Sequence, residues 1–245
     1  MRLTYQAQLD QEKLRYNIEK NLDIISDIFC IHKEDDKKTA NVLMEEVFKR
    51  THPEYFYQSD FLVENKIKNA LEFSIKKHKG QYRDSGIPYA AHPVQNAYIA
   101  TEFKSSANIV VTSLLHDVLE ENEETVLQTA NEIVIRFGRG IYSSILGQSV
   151  FDKGIERDEK LTDNLWFLYR FTDGDGMFRN KCADGITNLY TKKDMKPKNE
   201  MTAEQRIKKF CSNARIKLLP MARVLDAKGD IDLNVASYIE DLVRR

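Results

Sequence analysis

Glycine and proline are scarce in this chain of 245 residues, which contains 10 glycines and 5 prolines. Both counts are about half or less of ordinary usage. Because these residues form the turns between short strands, their scarcity disfavours a β-sandwich or β-barrel and favours helices. The composition therefore predicts an all-α fold.

Cysteine is also rare, and Cys30, Cys182 and Cys211 lie far apart without a CxxC pair. This pattern offers neither a disulfide framework nor a cysteine zinc site, and it is typical of a reducing compartment. The first residues lack the apolar core of a signal peptide. No apolar run reaches the ~18 residues needed to cross a bilayer. We therefore expect a soluble, cytoplasmic protein without a membrane partner.

Neither sign of charge dominates, since 37 basic and 38 acidic residues give a formal net charge of -1. Proteins that mainly hold duplex DNA or an anionic membrane need a dominant positive field. The balance therefore disfavours a bulk polyanion as partner and leaves room for a small anionic substrate. Signatures of a phosphate loop, a nucleophile elbow and a Rossmann fold are absent from the sequence.

The helical pattern divides the chain into three parts. Residues 1–60 are expected to form an N-terminal helical extension, either an accessory layer or a lid, and residues 196–245 to complete the bundle. Residues 61–195 contain the motifs described below. Packing is the simpler role for the extension because its apolar residues recur at helical spacing. The residues expected to share its buried face are Leu14, Ile18, Leu22, Ile25 and Ile28.

His116 and Asp117 are neighbours at the end of the apolar run IVVTSLL. Burying a carboxylate without a partner is costly, so the pair needs a cation nearby or a position where the helix leaves the core. We expect the helix to continue through this pair, which places Glu120 and Glu121 one turn later on the same sides of the helix. Taken alone, the pair is explained most simply as the solvated end of a core helix.

His92 and Asp184 strengthen the case for a metal site. His92 opens another helix in AAHPV, and Asp184 lies between apolar residues in NKCADGITNLY, with Asn188 one turn later. Two imidazoles and two carboxylates form a mixed nitrogen and oxygen donor set, which suits Mn²⁺, Fe²⁺ or Zn²⁺ better than Ca²⁺. Spacing alone does not bring these helices together.

Four ordered motifs resemble the HD-domain (p)ppGpp hydrolases, which include small alarmone hydrolases and the hydrolase domain of bifunctional stringent-response enzymes. The stretch HKGQYRDSGIPYAAHP matches the family pattern HxGQxRxSGxPYxxHP. LLHDVLEEN, RFG and KCADGITN then match the family's LLHDxxE, Phe-Gly and KxADxxxN motifs. The resemblance covers about Phe61 to Thr191. It implies an HD-type helical phosphohydrolase bundle with an N-terminal helical extension.

The resemblance also implies three sets of functional residues. The metal ligands, usually to Mn²⁺ in this family, would be His92, His116, Asp117 and Asp184. The carboxylates that orient or deprotonate the attacking water would be Glu120 and Glu121. The contacts to a small phosphorylated nucleotide would be Arg83, Ser85, Asn188 and Thr191. Together they imply a metal-dependent hydrolase that removes the 3′-pyrophosphate of (p)ppGpp.

The chain departs from the family pattern at the rim of the implied pocket. Asp84 follows Arg83 where the family is often basic, and Gly185 follows Asp184 where a basic residue is usual. These changes keep all four implied metal ligands and leave the identity of the substrate open. The alternatives are another phosphorylated nucleotide, a pyrophosphorylated tRNA 3′ end, which the near-neutral charge disfavours, or nucleotide binding by a non-catalytic regulator. The sequence does not predict an oligomeric state.

Overall fold

The computed structural model describes residues 5–32, 35–51, 61–119, 126–148, 175–198 and 200–245. These residues form eleven α-helices. Across the described ranges there is no β-strand, only the isolated bridges Tyr82–Pro88 and Lys198–Met201. The predicted all-α fold is confirmed. None of the described helices is long and apolar enough to span a membrane.

The helices follow one another as α1 (Tyr5–His32), α2 (Asp36–Leu43), α3 (Phe61–Lys77), α4 (Ala91–Glu102), α5 (Ala107–Leu115), α6 (Val126–Phe137), α7 (Arg139–Gln148), α8 (Gly176–Tyr190), α9 (Ala203–Asn213), α10 (Leu219–Lys228) and α11 (Val235–Arg244). Short π-helical stretches, Met44–Lys49 and Ala214–Leu218, continue α2 and α9. A single 3-10 turn, Lys192–Asp194, follows α8.

The predicted apolar face of α1 is confirmed. Leu14 is partly buried against the core, and the other four residues of the face are buried: Ile18, Leu22, Ile25 and Ile28. α1 packs on both α2 and α4, so the N-terminal segment contributes directly to the described core. Burial of a continuous apolar face explains why this charged segment is helical.

α4 lies in the interior of the bundle, where it packs against α1, α5 and α8. Eleven of its twelve residues are buried, from Ala91 to Thr101. Pro93 lies in its first turn, where the missing N–H group leaves no helical hydrogen bond unmade. The first turn of α4 therefore presents its polar side chains, including His92, to the protein interior.

The structure corrects the expectation that the His116–Asp117 pair lies within a helix. α5 ends at Leu115, and His116 is its C-cap residue. The amide of Val118 then bonds to the carbonyl of Leu115 in a turn, at 3.2 Å. Because the imidazole of His116 bonds the carbonyl of Ser113, a side chain satisfies one of the open carbonyls of the last helical turn. The pair thus lies just beyond a helix end.

Close packing explains one departure from the family pattern. Gly185 lies on α8 where the side chain of Leu218 covers it, and a Cβ atom at position 185 would fall well inside van der Waals contact with that leucine. A basic side chain at this position would require Leu218 to move. The absence of a side chain lets the π-helical stretch after α9 approach α8 closely.

Candidate metal centre

Three separate segments bring the four predicted ligands together. His92 comes from the first turn of α4, Asp184 from α8, and His116 and Asp117 from the turn after α5. The donor atoms of His92, His116 and Asp184 all lie within 4.8 Å of one another. Asp117 adjoins this cluster, since its Oδ1 lies 3.1 Å from Nε2 of His116 and its Oδ2 lies 3.4 Å from Nε2 of His92.

The imidazole of His116 is oriented as a metal ligand would be. Its Nδ1 lies 2.7 Å from the carbonyl oxygen of Ser113, so Nδ1 carries a proton and donates it. This leaves Nε2 as the ring nitrogen that faces the cluster. This atom is buried, has no hydrogen-bond partner among the described residues, and lies 3.1 Å from a carboxylate oxygen of Asp117.

Carboxylate oxygens of two residues lie close to Nε2 of His116. Nε2 of His116 also has Oδ1 of Asp184 at 3.8 Å, and the same oxygen lies 3.2 Å from Nε2 of His92. The unpartnered nitrogen and the carboxylates thus fit a divalent cation. The donor set, with imidazole and carboxylate groups, suits a borderline transition metal.

The protonation states of the cluster agree with this fit. Burial, followed by the positive charge of Arg83, lowers the pKa of His92 to about 4, so its imidazole is neutral at neutral pH. Burial opposes ionisation of Asp184, but Lys181 and His92 outweigh it and hold the pKa of this carboxyl well below its ordinary value. A neutral imidazole and an ionised carboxylate are the forms that bind metals.

Two residues without a predicted role hold the acidic ligands in place. The hydroxyl of Tyr89 donates a hydrogen bond of 2.9 Å to Oδ2 of Asp117. The ammonium of Lys181 lies 2.7 Å from Oδ2 of Asp184. Tyr89 lies in GIPY and Lys181 in KCAD, both within the quoted motifs. Their position in these motifs was the signal in the sequence that could have identified them. Such outer hydrogen bonds orient ligands and tune a metal site.

His78, the first residue of the first motif, supports Tyr89 rather than the cluster directly. Its ring lies against that of Tyr89, with 4.9 Å between centroids, and its Nδ1 lies 2.7 Å from Oε1 of Gln81. His78 is 1% exposed, and burial lowers its pKa. The side chain therefore packs as a neutral ring beneath the tyrosine that binds Asp117.

A cavity of about 610 Å³ opens onto the cluster. The residues predicted to contact a nucleotide all line it: Arg83, Ser85, Asn188 and Thr191. Arg83 donates a hydrogen bond of 2.9 Å to Asn188, which in turn donates one of 2.6 Å to Asp184. Thr191 donates back to the carbonyl of Thr187 at 3.1 Å. Asn188 thus contacts both the cavity arginine and the candidate metal centre.

The C-terminal part also lines the cavity, with Lys198, Arg206 and Phe210. From the sequence, this part was expected only to complete the bundle. No motif links residue 206 to the first motif, and only the tertiary fold brings α9 to the cavity. Glu120 and Glu121, the predicted water-activating carboxylates, lie outside the described residues.

Comparison with known proteins agrees with these motifs. A family profile described as an HD domain matches residues 70–150, which include His92, His116 and Asp117. A guanosine-3′,5′-bis(diphosphate) 3′-pyrophosphohydrolase of Borreliella burgdorferi is 30% identical over 200 residues, or 80% of this chain and 27% of that protein.

Two further relatives match a shorter region. The bifunctional (p)ppGpp synthase/hydrolase SpoT of Escherichia coli is 35% identical over 103 residues, or 41% of this chain and 14% of that protein. A GTP pyrophosphokinase of Myxococcus xanthus is 35% identical over 104 residues, or 40% of this chain and 13% of that protein. The chain thus spans about a quarter or less of the length of these relatives. By its profile match and its ordered motifs, the chain contains an HD domain, and this domain is similar to that of the (p)ppGpp hydrolases.

Proposed function

We propose that this chain is a hydrolase that depends on a divalent metal, with Mn²⁺ preferred, and removes the 3′-pyrophosphate from (p)ppGpp-type nucleotides. The observation that carries the proposal is the buried Nε2 of His116, which has no hydrogen-bond partner among the described residues and lies 3.1 Å from the carboxylate of Asp117, beside the nucleotide-sized cavity. The names of the relatives support the substrate class.

His92, His116, Asp117 and Asp184 would hold the cation in this proposal. A bound divalent cation supplies Lewis acidity, which lowers the pKa of water toward ~7 and offsets charge on phosphoryl oxygens. Tyr89 and Lys181 keep the two carboxylates in position through hydrogen bonds. The site is largely formed before substrate arrives, which reduces the reorganisation required during the reaction.

Glu120 and Glu121 supply the proposed proton acceptor. They follow the His116–Asp117 pair directly in the sequence. In the reaction, a water oxygen bonds to the phosphorus attached to O3′, the P–O3′ bond breaks, and the ribose oxygen gains a proton. One glutamate accepts the proton that the water loses. The products are pyrophosphate and the 5′-phosphorylated nucleoside.

Arg83 and Asn188 bind the nucleotide in this proposal. The guanidinium of Arg83 lies 5.8 Å from the ring centroid of Tyr89, so the arginine and the tyrosine present adjacent surfaces to the cavity. A planar guanidinium is suited to stacking on a base or to neutralising a phosphate. Ser85 and Thr191 add hydroxyl groups to the lining of the cavity.

The decisive experiment is pyrophosphate release from ppGpp by purified protein stripped with EDTA and reloaded with Mn²⁺. Release should require the metal, and Asp117→Ala should abolish it. The matched control is His32→Ala, which removes a histidine at the end of α1, outside the cavity, and should leave turnover unchanged. Fe²⁺ and Zn²⁺ in place of Mn²⁺ test the proposed metal preference.

The same assay separates the alternatives. Metal-loaded protein that binds ppGpp but releases nothing would be a nucleotide-binding regulator rather than this enzyme. Release from other 3′-phosphorylated nucleotides, or from a pyrophosphorylated tRNA 3′ end, but not from ppGpp would move the assignment to another HD phosphohydrolase activity.

A further inference from the structure

Three buried polar side chains on three helices are hydrogen-bonded to one another behind the candidate metal centre. Ser113 lies on α5, Gln148 is the last residue of α7, and Asn180 lies on α8. Ser113 and Asn180 have no exposed surface, and Gln148 is 6% exposed. Burying a polar group is costly unless it is hydrogen-bonded, so each of the three needs a partner. We call them the three-helix network.

The hydrogen bonds of the network permit one orientation of both amides. Nε2 of Gln148 lies 3.3 Å from the carbonyl oxygen of Ser144, which can only accept, so Oε1 of Gln148 faces Asn180. Nδ2 of Asn180 donates to that oxygen at 2.7 Å. Oδ1 of Asn180 is then left to accept the proton of the Ser113 hydroxyl, at 2.6 Å. Reversing either amide would place donor against donor and acceptor against acceptor.

Gln148 also lines the cavity, yet both polar atoms of its amide are engaged within the protein. Its Nε2 has a second contact, at 3.9 Å, with Sδ of Met177. Gln148 therefore holds the amide of Asn180 in place and does not offer its own amide to a nucleotide.

The network ends at the residue that holds His116. The carbonyl oxygen of Ser113 accepts the proton of His116 Nδ1 at 2.7 Å, while the hydroxyl of the same serine donates to Asn180. Asn180 lies one turn before Asp184 on α8, so their side chains share a face of that helix. Asn180 thus ties α5 to α8 beside two predicted ligands from different segments. Nε2 of His116 and Oδ1 of Asp184 lie 3.8 Å apart.

We propose that Asn180 is a positioning residue for the candidate metal centre, where it sets His116 against Asp184 by holding Ser113. The inference rests on the metal site of the proposed function. Loss of a hydrogen bond behind a metal ligand typically weakens metal binding by about 10- to 100-fold. Asn180 acts on His116 through a serine, so the expected loss lies at the lower end of that range.

A purely structural role would have a different signature. Removing a buried hydrogen bond lowers stability wherever the bond lies, because its partners are left unpaired. Only a positioning role changes the geometry of the metal ligands in the molecules that remain folded. The readout must therefore report on the metal site itself.

The test measures the Kd for Mn²⁺ by calorimetric titration and the visible spectrum of the Co²⁺-loaded protein, whose d–d bands report the number and geometry of the ligands. Asn180→Leu keeps the approximate volume of the side chain and removes its hydrogen bonds. It should raise the Kd about tenfold and alter the Co²⁺ bands.

Thr187→Val is the matched control. Thr187 is fully buried on the same helix, and its hydroxyl bonds the carbonyl of Ala183 within that helix at 3.0 Å. This substitution also removes a buried hydrogen bond from α8, but it leaves the tie to α5 intact. The Kd for Mn²⁺ and the Co²⁺ spectrum should both stay as in the wild type.

Ser113→Ala removes only the hydroxyl and decides the inference alone if Asn180→Leu does not fold. It should raise the Kd and alter the Co²⁺ bands in the same direction. The double variant should bind Mn²⁺ no more weakly than Asn180→Leu, because both substitutions remove the same bond. The stoichiometry of each titration gives the folded fraction, so partial unfolding does not imitate a change in Kd.

Folded Asn180→Leu and Ser113→Ala proteins with the wild-type Kd or the wild-type Co²⁺ spectrum would overturn the inference and leave the metal site in place. Equal changes in Thr187→Val would also overturn it, since the effect would then not depend on the tie to α5. A wild type that binds neither ion would overturn the inference together with the metal site. Because these readouts need no substrate, a failure to release pyrophosphate from ppGpp would count against the proposed activity alone.

Discussion

Arg83 and Asn188, 105 residues apart in the sequence, are joined by a hydrogen bond of 2.9 Å from the guanidinium Nη2 to the amide Oδ1. The amide nitrogen of Asn188 donates to Oδ1 of Asp184 at 2.6 Å. One asparagine therefore connects the first motif to a predicted metal ligand. Asp184 accepts this bond on Oδ1, and its Oδ2 accepts a hydrogen bond from Lys181.

This connection predicts energetic coupling between Arg83 and Asn188. In a double-mutant cycle, Arg83→Ala and Asn188→Ala should be non-additive by about 0.5–1.5 kcal/mol in the free energy of unfolding, because each single variant already removes the shared bond. Urea denaturation provides the measurement. Pairing Arg83→Ala with Asn108→Ala, whose side chain bonds Lys66 instead, should give additive effects. Additivity in the first cycle would show that the bond contributes nothing to stability.

Metal loading should stabilise the folded protein through the candidate metal centre. Mn²⁺ at about 100 times its Kd should add about 2.7 kcal/mol to the free energy of unfolding, because only the folded chain assembles the ligands. EDTA should remove the gain, and Asp184→Asn should prevent it. Asp27→Asn, at an exposed position of α1, should respond to Mn²⁺ as the wild type does. Thermal unfolding with and without Mn²⁺ tests this, and an undiminished gain in Asp184→Asn would exclude that residue as a ligand.

Tyr89 should tune metal affinity without being a ligand. Tyr89→Phe removes the hydroxyl that holds Asp117 and should raise the Kd for Mn²⁺ by about 10- to 100-fold, the range typical of lost outer hydrogen bonds. Isothermal titration calorimetry measures the change directly. Tyr82→Phe is the control, since Tyr82 lies on the same loop with 62% of its surface exposed. Equal Kd values in all three proteins would contradict a positioning role.

The contact between Gly185 and Leu218 predicts opposite effects of the same substitution at two helical glycines. Gly185→Ala should lower the free energy of unfolding by about 1–3 kcal/mol, because the methyl group overlaps Leu218. Gly140→Ala, on α7, meets no atom within 4 Å among the described residues and should raise stability by about 0.4–1 kcal/mol. Chemical denaturation compares the two, and a neutral Gly185→Ala would mean that the helices separate easily.

The N-terminal extension should be an integral part of the fold rather than a detachable lid. Leu22→Ala should cost about 2–5 kcal/mol of unfolding free energy, because Leu22 is fully buried against the core. Leu9→Ala, at a position of α1 with 41% exposure, should cost much less. Similar small costs for both variants, measured in urea, would instead support a loosely attached extension.

Local patterns predicted the helices well because most of them bury one apolar face. The helical spacing of Ile18, Leu22 and Ile25 is visible in the sequence, and all three side chains are fully buried in the structure. The prediction was wrong at the end of α5, because hydrophobicity continues through the HD motif while the hydrogen bonds do not. Side-chain to backbone bonds such as that of His116 are not encoded in an apolar run.

The candidate metal centre could be predicted only in part from the sequence. Residue types indicated a metal, but the association of His92, His116 and Asp184 came from a family resemblance, since helical spacing says nothing about which helices meet. The ion pair between Asp84 and Arg206, both of which line the cavity, was not predicted at all, because the two are 122 residues apart and belong to no common motif. Long-range ion pairs of this kind depend on the packing of the whole bundle.

The glycine beside Asp184 also restricts how α8 can move. Adjacent residues of a helix point about 100° apart, so turning α8 enough to remove Asp184 from the cluster would bring a larger side chain against Leu218. α8 therefore has one rotational setting in which Asp184 faces the cluster and Gly185 faces Leu218. The carboxylate is preorganised by packing at the neighbouring position of its own helix, and the entropy of placing it is lost when the chain folds rather than when a cation binds.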